Sequence, residues 1–106
     1  MNLTDLNKLI NSELTTKIKN TNIENNELSI DVKVENLYQV ILFLKTDKKC
    51  KFKQLIDITV IDYPENNLRF EVVYLFLSHE YNQRLILKYS ISENEIIPSA
   101  VSYKNL

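Results

Sequence analysis

The sequence predicts an α+β domain of two layers: a mostly antiparallel sheet of about four strands with two helices on one face. Three extended segments, within 52–63, 69–78 and 84–91, are apolar and separated by short polar turns, as in an antiparallel meander. Two further segments, 4–19 and 36–46, carry apolar residues at helical spacing. Two amphipathic helices can cover only one face of such a sheet.

Taken in order, residues 4–19 are expected to be helical, with Leu6, Leu9, Ile10, Leu14 and Ile18 mainly on one face. Thr4 is the expected cap, and Asp5 suits the positive end of the helix dipole. Ile23 then precedes an Asn25-Asn26 turn, and Leu28, Ile30, Val32 and Val34 alternate with Ser29, Asp31 and Lys33. This is a one-sided strand after a short hairpin. Leu37, Val40, Ile41 and Leu44 return to helical spacing, with Glu35 or Asn36 at the start and Lys45 near the end. The five lysines between 45 and 53 read as a solvated loop, since no aromatic residues alternate with them as a nucleic-acid platform requires. The segment to Tyr63 is rich in β-branched residues, and the tight Pro64-Glu65-Asn66-Asn67 connection leads into the strand RFEVVYLFLS. After HEYNQ, Leu85, Leu87, Tyr89 and Ile91 alternate with Ile86, Lys88 and Ser90. RFEVVYLFLS is the middle strand of the meander and is expected to lie centrally.

A chain of 106 residues and 12.5 kDa predicts one domain over 1–106. Its net charge of −1 creates no general attraction to nucleic acid or to anionic membrane. No apolar run approaches the roughly 20 residues that span a bilayer, so no direct membrane insertion is expected. The first twenty residues lack a signal-peptide core, and they contain Asp5 and Glu13 but no Arg. The default compartment is cytosolic, or a matrix if the gene is resident there.

The absence of glycine excludes a Walker phosphate loop and a GxGxxG dinucleotide turn. Asparagine takes over turn duty at Asn25-Asn26 and Asn66-Asn67, because it tolerates the left-handed conformation best after glycine. A single cysteine, Cys50, rules out an internal disulfide and any four-cysteine metal site. Neighbouring lysines could lower its pKa and make it reactive, yet no partner for nucleophilic chemistry is apparent, and it reads as a spectator thiol at the entrance of a strand.

Catalysis fares no better. His79 is the sole histidine, with Glu80 merely its sequence neighbour. Asp57 and Asp62 lie five apart on an extended segment and face opposite ways. Arg69 and Arg84 stand at two strand starts, where surface ion pairing is their expected role. No catalytic, cofactor-binding or metal-binding residue is assigned.

The middle strand poses the functional question. Phe70, Val72, Tyr74 and Phe76 point one way and are expected to face the helices. Val73, Leu75 and Leu77 point the other way and are equally apolar, with Ile86 their neighbour from the next strand. Left in water, such a patch invites association. An interaction module is therefore the expected class.

The run FKQLIDITVIDYPENNLRFEVVYLFLS, followed by NQRLILK and IIPSAVS, resembles the 30 kDa subunit family of respiratory complex I. Asp62, Tyr63, Pro64, Arg69, Phe70, Tyr74, Ser78, Arg84, Pro98 and Ser99 carry the resemblance, which covers roughly residues 36–103. The family's Glu-Arg-Glu stretch is expected just after Ser102, where this chain instead reads Tyr103-Lys104-Asn105-Leu106. A fragment or truncated form of a longer subunit is the expectation. The resemblance implies a non-catalytic subunit, without flavin or iron–sulfur cluster, in the peripheral arm of proton-translocating NADH:quinone oxidoreductase. Its implied partners are other peripheral-arm subunits, including the quinone-proximal ones. Its implied place is the cytoplasmic side of the bacterial inner membrane, or the matrix side in mitochondria. The competing readings are a free-standing interaction or adaptor domain and, third, a small hydrolase or ligand-binding enzyme, which needs a deep pocket lined by His79 and converging carboxylates.

Overall fold

The computed structural model describes residues 2–92. Helix α1 (Leu3–Glu13) is followed by strands β1 (Ile18–Glu24) and β2 (Glu27–Val32). A 3-10 turn (Val34–Asn36) leads into α2 (Leu37–Thr46), then β3 (Gln54–Asp62), β4 (Phe70–Ser78) and β5 (Gln83–Ile91). The result is an α+β fold whose five strands lie in the order β1-β2-β5-β4-β3. All neighbours are antiparallel except β2 and β5, which run parallel. The meander β3-β4-β5 is as expected. The parallel pairing places β5, rather than β4, at the centre of the sheet.

The extra strand comes from the expected first helix. α1 stops at Glu13, and Ile18 opens β1 opposite Val32 instead of extending the helix to residue 19. Thr15 and Thr16 are β-branched and poor helix formers, and the Thr15 hydroxyl bonds back to the Asn11 carbonyl. Beyond them, residues from Ile18 to Glu24 gain a ladder with β2. Tertiary pairing overrides the helical spacing here. The cap also differs: Asn2, rather than Thr4, accepts the Asp5 N–H at 2.8 Å.

The turn from β1 to β2 is a two-residue loop in which Asn25 and Asn26 have φ of 53° and 63°. That is the left-handed pair a tight hairpin demands. Asn66 and Asn67 are not left-handed, contrary to expectation. The connection from β3 to β4 is longer, closed by bonds from Tyr63 N–H to Arg69 O at 2.7 Å and from Asn66 N–H to Tyr63 O at 3.0 Å. Lys51 and Asn82 take the remaining left-handed positions among the described residues.

The core lies between the helices and one sheet face. Leu6, Ile10 and Leu14, with Leu37, Val40, Ile41 and Leu44, pack over Leu28, Ile30, Val32, Val72, Tyr74, Phe76, Leu85, Leu87, Tyr89 and Ile91. Removing this much apolar surface from water is the main force holding the layers together. Phe70 is only half-buried, because it sits at the end of β4.

Candidate functional site

The second face of the sheet carries the most distinctive surface. Strand pairing aligns Ser29, Ile86, Leu75 and Asp57 in one row across β2, β5, β4 and β3. A second row runs Asp31, Lys88, Val73 and Thr59, and a third runs Arg84, Leu77 and Gln54. Val73, Leu75, Leu77 and Ile86 thus form a half-buried apolar strip between charged and polar neighbours. Val73 and Ile86 also line an open depression with Glu24, Glu27, Glu71 and Lys88. An apolar centre with a polar rim is the anatomy of a protein interface. Both helices lie on the opposite side, against Val72, Tyr74 and Phe76.

Those residues that carried the resemblance and are described in the structure divide into three groups. Asp62 and Arg69 close the β3–β4 connection, with Arg69 Nε and Nη2 donating to the two carboxylate oxygens at 2.7 and 2.9 Å. The hydrogen bonds from Arg69 and its charge hold the Asp62 carboxyl below its ordinary pKa. The guanidinium also lies 5.2 Å from the Phe70 ring centroid, a cation–π contact. Tyr63 and Pro64 sit in the loop so closed, beside Glu65 and Asn66. Tyr74 and Ser78 are instead core residues, and the Ser78 hydroxyl accepts the Tyr81 N–H at 3.4 Å. Arg84 is exposed on the open face opposite Leu77. Pro98 and Ser99 lie outside the described residues.

His79 is hydrogen-bonded to the Gln54 side chain, an exposed pairing with no carboxylate or nucleophile in it. Asp57 lies on the open face opposite Leu75, whereas Asp62 pairs with Phe70 on the helix side. Among the described residues no three His, Cys, Asp or Glu side chains gather as a metal site. No helix among them is long and apolar enough to cross a membrane.

Cys50 does not have the lowered pKa that its lysine neighbours in sequence allowed. It is buried in the turn between α2 and β3, and its pKa is pushed up to about 12, not lowered by the lysines. Burial is the largest cause, followed by the nearby Asp47 carboxylate, because both disfavour the thiolate. Lys51 turns away to bond Glu80 at 2.8 Å.

Sequence reasoning missed two features. Tyr81, at the β4–β5 turn, donates its hydroxyl to the Lys48 carbonyl at 2.6 Å, tying the lysine loop to the sheet. Tyr89 bonds the Tyr74 hydroxyl within the core. Its only sequence signal was a second tyrosine at a core-facing position of the neighbouring strand.

A family model described as respiratory-chain NADH dehydrogenase, 30 Kd subunit, matches residues 30–105. The C subunit of the NADH-quinone oxidoreductase of Ruegeria sp. (strain TM1040) is 40% identical over 99 residues, which cover 93% of this chain and 49% of that protein. Its counterpart in Ruegeria pomeroyi is 49% identical over 73 residues, covering 69% of this chain and 36% of the relative. The one from Dinoroseobacter shibae is 44% identical over 82 residues, covering 77% and 38%. The chain spans about half the length of the curated relatives it matches.

Proposed function

The chain belongs to the 30 kDa subunit family of respiratory-chain NADH dehydrogenase, and from that membership we propose that it serves as a cofactor-free structural part of NADH:quinone oxidoreductase. It packs in the peripheral arm against quinone-proximal subunits, on the cytoplasmic side of a bacterial inner membrane or the matrix side of a mitochondrial one. It holds neighbours in register and carries no chemistry itself. The observation that supports this reading is the strip Val73, Leu75, Leu77 and Ile86, with charged residues around it. These side chains project from two hydrogen-bonded strands inside the sheet, which makes a rigid platform for docking. One cysteine, one histidine and no glycine leave few ligands for a metal and no phosphate cradle.

The test is complementation in a bacterium lacking its own 30 kDa subunit, using the full-length gene that encodes this chain. The expected result is an assembled enzyme on native gels with the wild type and a severalfold loss with Leu75→Glu combined with Ile86→Glu. Unchanged assembly with a variant that folds normally overturns the role of this face. A wild-type product that stays apart from the enzyme supports the free-standing adaptor instead. Stoichiometric metal or flavin retained by the purified chain overturns the cofactor-free role.

A further inference from the structure

The five lysines between 45 and 53 are not carried on a loose loop. The α2–β3 connection folds back on itself, with Phe52 N–H bonding Leu44 O at 2.8 Å. That bond returns the far end of the turn, with Lys53, to the helix end that carries Lys45. Within the turn, the Cys50 and Lys51 N–H groups both bond Asp47 O at 3.1 Å, and Lys49 N–H bonds the Asp47 carboxylate at 2.8 Å. Three contacts then fasten the turn and the start of β3 to the β4–β5 connection. The Tyr81 hydroxyl donates to the Lys48 carbonyl, Lys51 pairs with Glu80, and His79 bonds the Gln54 side chain.

Fastening the turn leaves most of its charge unmatched. Of the five lysines only Lys51 is in an ion pair among the described residues. Lys48, Lys49 and Lys53 are exposed. Glu80, already bonded to Lys51, feels Lys53 only as a weaker Coulombic neighbour. Ammonium groups held this close repel one another, and an anion relieves that repulsion. The outward stripe of α2 continues the surface with apolar side chains. Tyr38 is 56% exposed and Leu42, four residues on, is 39% exposed, with Lys45 three residues further along the same stripe.

We propose that the lysine turn and the adjoining Tyr38–Leu42 stripe dock an acidic segment of another protein. Its Asp or Glu side chains would meet Lys45, Lys48, Lys49 and Lys53, and the apolar residues after them would meet Leu42 and Tyr38. Charge complementarity selects an anion, and the apolar neighbours select a protein among anions. A membrane surface is entered through a broad apolar helix face, whereas that of α2 (Leu37, Val40, Ile41 and Leu44) is already in the core. The exposed Glu35, just before α2, opposes anionic lipid as well. Single-stranded nucleic acid needs a series of stacking rings along its path, and Tyr81 is the one aromatic side chain bonded to the turn. The chain's own Glu93 and Glu95 come after β5 has run nine residues away from the β4–β5 connection. This surface is separate from the apolar strip of the open face, and the inference does not depend on the family role.

The experiment titrates the isotopically labelled full chain with the capped peptide Asp-Glu-Asp-Glu-Ser-Leu-Phe-Leu at physiological ionic strength, where the Debye length is about 8 Å. Saturable amide shifts centred on residues 45–53 and extending to Leu42 and Tyr38 are expected. Lys48→Gln combined with Lys49→Gln is expected to lower affinity at least tenfold. Tyr81→Phe keeps every charge but releases the Lys48 carbonyl, and is expected to lower affinity severalfold, which charge alone does not explain. A peptide of the same composition with alternating order, Asp-Leu-Glu-Phe-Asp-Leu-Glu-Ser, is expected to bind several times more weakly. The exposed lysine pair carries the test if the tyrosine variant does not fold. Shifts that are absent or centred elsewhere, equal binding of the two peptides, or unchanged affinity in either folded variant overturn the proposal. So does tighter binding of phosphatidylglycerol vesicles or of an oligothymidylate than of the first peptide, or a chain that self-associates through this turn.

Discussion

The hydroxyls of Tyr74 and Tyr89 meet at 2.8 Å inside the core, with their rings edge to face at a centroid distance of 5.6 Å. They come from neighbouring strands, one step apart along the register, since Val72 faces Tyr89 and Tyr74 faces Leu87. Both are buried. Burial and then the bond to Tyr74 push the Tyr89 hydroxyl well above its ordinary pKa. Two polar atoms are thereby accommodated in an apolar layer.

Breaking one side of that bond should be costly. Tyr74→Phe deprives the Tyr89 hydroxyl of this partner and is expected to destabilise by about 1–3 kcal/mol in urea melts. The double change Tyr74→Phe with Tyr89→Phe should cost less than the sum of the two singles, because no orphaned hydroxyl remains. Additive losses would show that the two hydroxyls do not depend on one another.

The two faces of β4 should respond differently to truncation. Tyr74→Ala empties a large core volume and is expected to cost about 3–5 kcal/mol. Leu75→Ser, on the open face, should cost the isolated chain much less yet weaken association, by roughly 1.5–3 kcal/mol for a leucine fully buried by a partner. Paired urea melts and a binding assay separate the outcomes. If Leu75→Ser unfolds the lone chain as readily and leaves association unchanged, the open face is internal core.

Acid should act on the β3–β4 connection through Asp62. Its folded pKa is depressed, chiefly by the hydrogen bonds from Arg69, so the pair stabilises the fold fully above the unfolded carboxyl pKa. That contribution is lost as pH falls from roughly 4 down through the lower folded value. Asp62→Asn is therefore expected to flatten the acid limb of stability against pH while leaving the neutral region's slope unchanged. An identical acid limb in the variant would place the pH dependence elsewhere, with Glu80, lowered by its bond to Lys51, the next residue to change.

Cys50 should be chemically quiet while the chain is folded. With a pKa near 12, only about one thiol in ten thousand is ionised at pH 8, and the side chain is buried besides. Iodoacetamide is expected to label it slowly in buffer and rapidly in denaturing urea. Fast labelling of the folded chain would mean that the α2–β3 turn opens readily.

Periodicity and turn chemistry were enough to read the meander, the second helix, the Asn25-Asn26 hairpin and the double-sided apolar character of β4. Those are local properties: side chains alternate along a strand, and asparagine accepts a left-handed backbone. The family was legible as well, because the segment around Asp62, Arg69 and Tyr74 keeps its order and spacing along the chain. Other features depended on contacts between distant segments. Ile18 suits the apolar face of a helix and the start of a strand equally, and pairing with Val32 decides for the strand. The parallel contact of Leu28 with Leu85 then puts β5 at the centre of the sheet, a choice no local pattern encodes. Cys50 sits among lysines in sequence, but folding buries the thiol beside Asp47 and sends Lys51 to Glu80, reversing the direction of its pKa. Electrostatic environment and strand order are set by what the folded chain brings together, so neighbours in sequence are a poor guide to either.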